Sequence, residues 1–197
     1  MSLFPADDGR LRELILHFSH RCGDWETFTA ALLERMLFQA DFLHFRMHGF
    51  PITGQAYRRG IHSPAPRTMA RIVRGMIQAG DLEIAEEPRE DNLHVRSIPR
   101  AFRDPDLRIF DGQEIALVEM VIRFYRGNWR EGSEGPDLLT LPWELAAPRE
   151  EIPYPLALLG TLAGPGSRRE AQVSHPLELE QAQGMRKLAH HSLILAS

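Results

Sequence analysis

The chain has 197 residues, 43% of them apolar and 25% charged, with a net charge of -4. Those proportions describe an ordinary globular protein long enough to bury a real core, and the slight acidity excludes a general attraction to nucleic acid. One cysteine, Cys22, excludes an internal disulfide and a cysteine-based zinc site, which suits a reducing cytoplasm, and the lack of a long apolar run or a signal-peptide pattern points away from membrane and export.

Leu11, Leu14, Ile15 and Phe18 share one helical face, and Cys22-Gly23-Asp24 ends that helix and offers Asp24 as the next cap. A second helix is expected from about Trp25 to His48, its apolar stripe formed by Leu33, Met36, Leu37, Ala40, Leu43 and Met47 and its end set by Gly49. Asp41, His44 and His48 lie three and four apart on one face of it. They are either metal ligands, with His62 as a candidate further ligand, or scaffold; the expectation is scaffold, with Asp41 accepting backbone hydrogen bonds and His44 packing beneath.

Phe50-Pro51-Ile52-Thr53-Gly54 and Ile61-His62-Ser63-Pro64-Ala65-Pro66 place three prolines around a short extended segment, a stiff strap. Ser63 then caps a helix whose buried face is Met69, Ile72, Val73, Met76 and Ile77 and whose end is Gly80. Arg67, Arg71 and Arg74 line its other face, with Arg58 and Arg59 just before it.

The order of these motifs resembles the Panacea, or SocA-like, antitoxin domain family. The matching stretches are Met36-Leu37-Phe38-Gln39-Ala40-Asp41-Phe42-Leu43-His44, Gly49-Phe50-Pro51-Ile52-Thr53-Gly54 and Ser63-Pro64-Ala65-Pro66-Arg67, within Leu32 to Leu82. Beyond Leu82, where family members carry a Ser- and His-containing segment before a tryptophan, this chain has Leu138-Leu139-Thr140-Leu141-Pro142-Trp143 without a histidine. The resemblance implies an antitoxin that neutralises a cognate protein toxin by direct contact. Asp41, His44, Pro64 and Pro66 are then structural, and the contact is expected at Pro51, Thr53, Gly54, Tyr57, Arg58, His62 and Arg67. A stiff strap loses little entropy on binding, and aromatic and arginine residues are the usual anchors.

Leu82-Glu83-Ile84 and Leu93-His94-Val95 alternate like a hairpin, with an acidic tip between them. A helix before a hairpin is also the layout of a winged helix, but an acidic wing repels phosphates, so DNA is an unlikely partner and autoregulation the alternative function. Asp111-Gly112-Gln113-Glu114 is a capping box for a core helix carrying Ile115, Leu117, Val118, Val121, Ile122 and Phe124, stopped by Gly127. Trp143 and Tyr154 are expected to pack on the core, and Leu156 to Leu162 to form a short buried helix.

The fold expected is mainly α, a compact helical domain of five or six helices with one small two-stranded β-hairpin. Residues 1–163 form that domain and residues 164–197 a hinge and polar tail, opened by Gly164-Pro165-Gly166-Ser167. Motifs for nucleotide binding, esterases and zinc proteases are missing, so a metal-dependent enzyme ranks third, no cofactor is expected, and a homo-oligomer is the other assembly compatible with the sequence.

Overall fold

The computed structural model describes residues 4–60, 63–88, 95–128, 139 and 141–159. At its centre is α2, Ala30–His48, in which every side chain from Leu32 to Phe45 except Glu34 is buried. A helix enclosed on all sides has to be the core of its domain, and the stripe from Leu33 to Leu43 is the part of that surface the sequence announces. The helix opens later than expected. Thr29, not Asp24, is the cap: its backbone is extended, and its hydroxyl accepts the Leu32 N–H at 3.3 Å. Gly23 to Phe28 form two tight turns instead, with Trp25 N–H to Cys22 O and Phe28 N–H to Trp25 O, because Phe28 is drawn into the core. Gly49, at φ 83°, ends α2 and donates to Phe45 O.

Two helices flank it. α1, Asp8–Cys22, is capped by Asp7, whose carboxylate accepts the Arg10 N–H at 2.9 Å, and buries Leu11, Leu14, Ile15 and Phe18. α4, Gly112–Asn128, opens on a complete capping box: Asp111 accepts from Gln113 and Glu114 N–H at 2.8 Å each, and Glu114 reaches back to Asp111 N–H at 2.9 Å. Gly127 does not stop this helix, which passes through it to Asn128. No helix among the described residues is long and apolar enough to cross a membrane.

The strap is a ribbon. Tyr57–Arg59 (β1) pairs antiparallel with Pro64–Pro66 (β2), and Glu151–Ile152 (β5) closes the other side of β1, giving the order β2-β1-β5. Prolines have no N–H to offer a neighbour, which places their strand at the edge of the sheet. Ser63 consequently caps no helix; its hydroxyl donates to Glu34, and α3, Met69–Ala79, starts after Thr68. Met69, Ile72 and Met76 of α3 are buried, whereas Ile77 is exposed.

The expected hairpin is present but longer than its alternation suggested. Leu82–Pro88 (β3) pairs antiparallel with Val95–Ala101 (β4); Leu93 and His94 of the expected second strand fall outside the described residues along with the tip. Pro99 is inside it, opposite Ile84. Among the described residues there are therefore two small antiparallel sheets where one hairpin was expected, and five α-helices, α5 being Leu141–Leu145. The short buried helix expected at Leu156 is a 3-10 turn over Tyr154–Leu158; residues 160–162 and the hinge and tail from Gly164 lie outside the described residues.

Gly54 sits at φ 66°, and a Cβ there would collide with the carbonyl oxygen of Pro5; Gly49 shares the left-handed backbone but has open space around it. Gly49→Ala should therefore cost only the left-handed penalty of about 1–2 kcal/mol, while Gly54→Ala should cost clearly more. Urea unfolding of the two variants checks the ranking.

Candidate functional site

Asp41 ties the strap to the core. Its side chain is completely buried under the strap, where Oδ1 accepts the Thr53 N–H at 2.7 Å and Oδ2 accepts the Thr53 hydroxyl and the Tyr57 hydroxyl, the latter at 2.8 Å. Tyr154 approaches Oδ2 at 3.4 Å but donates its one proton to Gln55 O at 2.7 Å. No cation is bonded to Asp41 among the described residues. Burial pushes its carboxyl above the usual range, and the hydrogen bonds from Thr53 and Tyr57 work against that rise. Burial also raises the phenols of Tyr57 and Tyr154, with the Asp41 charge adding to the effect.

Gln55 carries the lock outward. Its amide oxygen accepts from Thr68 Oγ1 at 2.6 Å, at the start of α3, and its amide nitrogen donates to Asp8 at 3.2 Å, at the start of α1. Asp8 in turn pairs with Arg71 of α3 at 2.7 Å. Around this network Phe38, Phe42, Tyr57 and Tyr154 form an aromatic cluster, Phe42 and Tyr154 stacking at 4.6 Å between centroids.

His44, also buried, bonds through Nδ1 to Phe50 O at 2.7 Å, which places the ring proton on Nδ1. Its ring lies 4.4 Å from that of the exposed His48. The two histidines thus meet, but Asp41 does not join them in a three-ligand cluster: Asp41 and His44, the buried ones, already serve the strap. Among the described residues no three metal-ligating side chains come together, and His62 lies outside them. Cys22 is buried, and burial pushes its thiol up to about 12, so it stays protonated near neutrality.

The residues expected at a partner contact divide into two groups. Pro51, Thr53, Gly54 and Tyr57 are buried, which corrects their assignment as contact side chains: Thr53 and Tyr57 face Asp41, Thr53 O accepts the Asp7 N–H at 2.8 Å, and Pro5 covers Gly54. Arg58 and Arg67 are exposed, and Arg67 lies 3.6 Å from Glu151. Pro64 and Pro66, expected to be structural, are buried in β2, which packs against α2. Two apolar side chains point outward: Phe50, at 50% exposure, which was missed, and Met47, at 60%, which was expected in the buried stripe of α2 but lies in its last turn, past the part enclosed by the core. Phe50 and Pro51 border a groove of about 480 Å³ between the strap and the segment from Phe4 to Arg10. The arginine face of α3 is partly neutralised by Asp8 and Glu151, and β3 sets Glu83, Glu86 and Glu87 on the neighbouring hairpin, an arrangement poorly suited to phosphates.

Asp41→Asn should lower stability by about 1–3 kcal/mol, because an amide nitrogen cannot accept from the Thr53 or Tyr57 hydroxyls and leaves buried donors unpaired. A chelator should leave the melting curve of the wild type unchanged. Scanning calorimetry of both proteins with and without chelator tests this; a chelator-sensitive wild type would mean that Asp41 and His44 hold a metal rather than the strap.

No family model matches this chain, and no curated protein or solved structure does. Function has to be argued from its own residues.

Proposed function

We propose that the protein is an antitoxin-like binding domain that neutralises a cognate protein toxin by direct contact. The observation that carries this reading is the lock beneath the strap. Thr53 and Tyr57 are fixed to Asp41, and Gln55 is fixed to α1 and α3, so the backbone that presents Phe50, Arg58 and Arg67 is ordered before any partner arrives. A pre-organised surface with aromatic and arginine anchors is what a tight protein contact requires. The contact moves outward from the buried strap residues to these three exposed ones.

Arg58 and Arg67 call for acidic groups on the toxin, and mutual charge steers association and selects partners more than it adds affinity. Co-expression with the product of the neighbouring reading frame is the direct test. Rescue of growth by the wild type, and its loss in the Arg58→Glu, Arg67→Glu double variant, is the expected result. Both side chains are exposed, and the surface ion pair of Arg67 with Glu151 contributes about 0–1 kcal/mol, so the melting temperature should barely move. Binding that survives both charge reversals would place the contact elsewhere.

A further inference from the structure

A second groove, of about 460 Å³, lies where the first turns of α2 face Gly60, Ser63 and Ala65 of the ribbon and the start of β4. Its wall of small residues, Ala31, Gly60 and Ala65, leaves room for a slender side chain. Two charged residues line it, Glu34 and Arg96, and they differ in one respect. The Arg96 guanidinium is already engaged, donating to the Glu26 carbonyl and to the Glu87 carboxylate at 3.2 Å. Glu34 accepts a single hydrogen bond, from Ser63 Oγ at 2.7 Å, and no cation among the described residues pairs with it. A carboxylate has about four acceptor sites, so most of this one is open to whatever enters the groove. Burial pushes Glu34 above the usual carboxylate range with the Ser63 hydroxyl working against it, as befits an anion lacking a counter-ion.

We propose that this groove receives an arginine side chain of a protein partner, with Glu34 as its counter-ion and the Ser63 and Ser97 hydroxyls as neighbouring polar contacts. Arginine fits better than lysine because its planar fork matches a carboxylate and it is the more weakly hydrated cation. A protein source follows from the register of the ribbon. Ala65, in the groove wall, is paired across the strands with Arg58. Directly opposed residues project from the same face of a sheet, so the groove and the exposed Arg58 belong to one surface. A partner that offers an acidic group to Arg58 and an arginine to Glu34 would meet an ordered alternation of charge, which fixes register and rejects competitors.

The identity of the partner rests on the antitoxin reading; the groove itself can be tested without it. Amide chemical shifts of the full chain would be followed during titration with N-acetyl-arginine methylamide and with its neutral citrulline counterpart. Saturable shifts at Ala31, Ser63 and Ser97 are expected with arginine alone, with a Kd in the range of about 1 mM, an ordinary strength for one desolvated contact. Glu34→Gln should weaken binding at least about tenfold, equivalent to 1.4 kcal/mol, without shifting the melting curve. The citrulline comparison tests the charge on unaltered protein should that variant fold poorly. Equal binding of citrulline, tighter binding of the free diamine putrescine, or arginine binding unchanged in Glu34→Gln would each overturn the proposal. Arginine bound at Glu34 by a protein that neutralises no toxin would leave this site standing and remove the antitoxin reading instead.

Discussion

One buried carboxylate sets the shape of this protein's most distinctive segment. Asp41 leaves water entirely and is met by neutral donors alone, a backbone N–H and two hydroxyls. An isolated ion in such a place would be costly, and only donors held in the right positions make it tolerable. The requirement therefore runs both ways. The strap is placed because Thr53 and Tyr57 must reach Asp41, and Asp41 is tolerated because the strap is there. His44 repeats the arrangement one turn along α2, fixing the Phe50 carbonyl where the strap leaves the helix.

This dependence extends into elements far apart in the chain. Tyr154 enters the network from the C-terminal part of the described residues, and β5 just before it closes the sheet on β1. Asp7 and Pro5 cover the strap from the N-terminal side, so the segment is enclosed from three directions. Helix α2 could pack against α1 and α4 without any of this, since those contacts are between apolar faces. The strap could not, because its buried apolar side chains, Pro51, Ile52, Tyr57, Pro64 and Pro66, come with buried polar groups, Thr53 and Gln55, that need partners. Its hydrogen bonds are what make it part of the fold.

The parts of the structure legible in the sequence are those governed by local chemistry. The stripe of α2, the capping box at Asp111, the left-handed glycines at Gly49 and Gly80 and the duty of Asp41 all follow from spacing or from a single residue's backbone demands. What was illegible depended on partners distant in the chain. The three-stranded sheet needs Glu151 and Ile152, a two-residue strand with no periodicity to announce it. Prolines at Pro64 and Pro66 suggested a stiff extended strap and announced no strand partner, although an edge strand tolerates them. The same limit applied to the site: the tie between Asp41 and the strap was legible, but which of the strap's side chains point outward was not, because Thr53 and Tyr57 look like contact residues until Asp41 is seen beneath them.

That reversal changes what the motif residues can encode. Thr53, Gly54 and Tyr57 answer to the interior: a donor for Asp41, a glycine for the approach of Pro5, a phenol for the aromatic cluster. None of them is free to vary with the identity of a partner without loosening the strap. On the antitoxin reading proposed above, specificity would reside in the neighbours that face outward, namely Phe50, Arg58 and Arg67, and in the carboxylate of Glu34 beyond the ribbon. The alternation along β1, with Tyr57 inward and Arg58 outward, is the physical means of separating the two tasks, since successive side chains of a strand project to opposite faces. A surface built in this way can change its partner by substitutions that the lock does not feel.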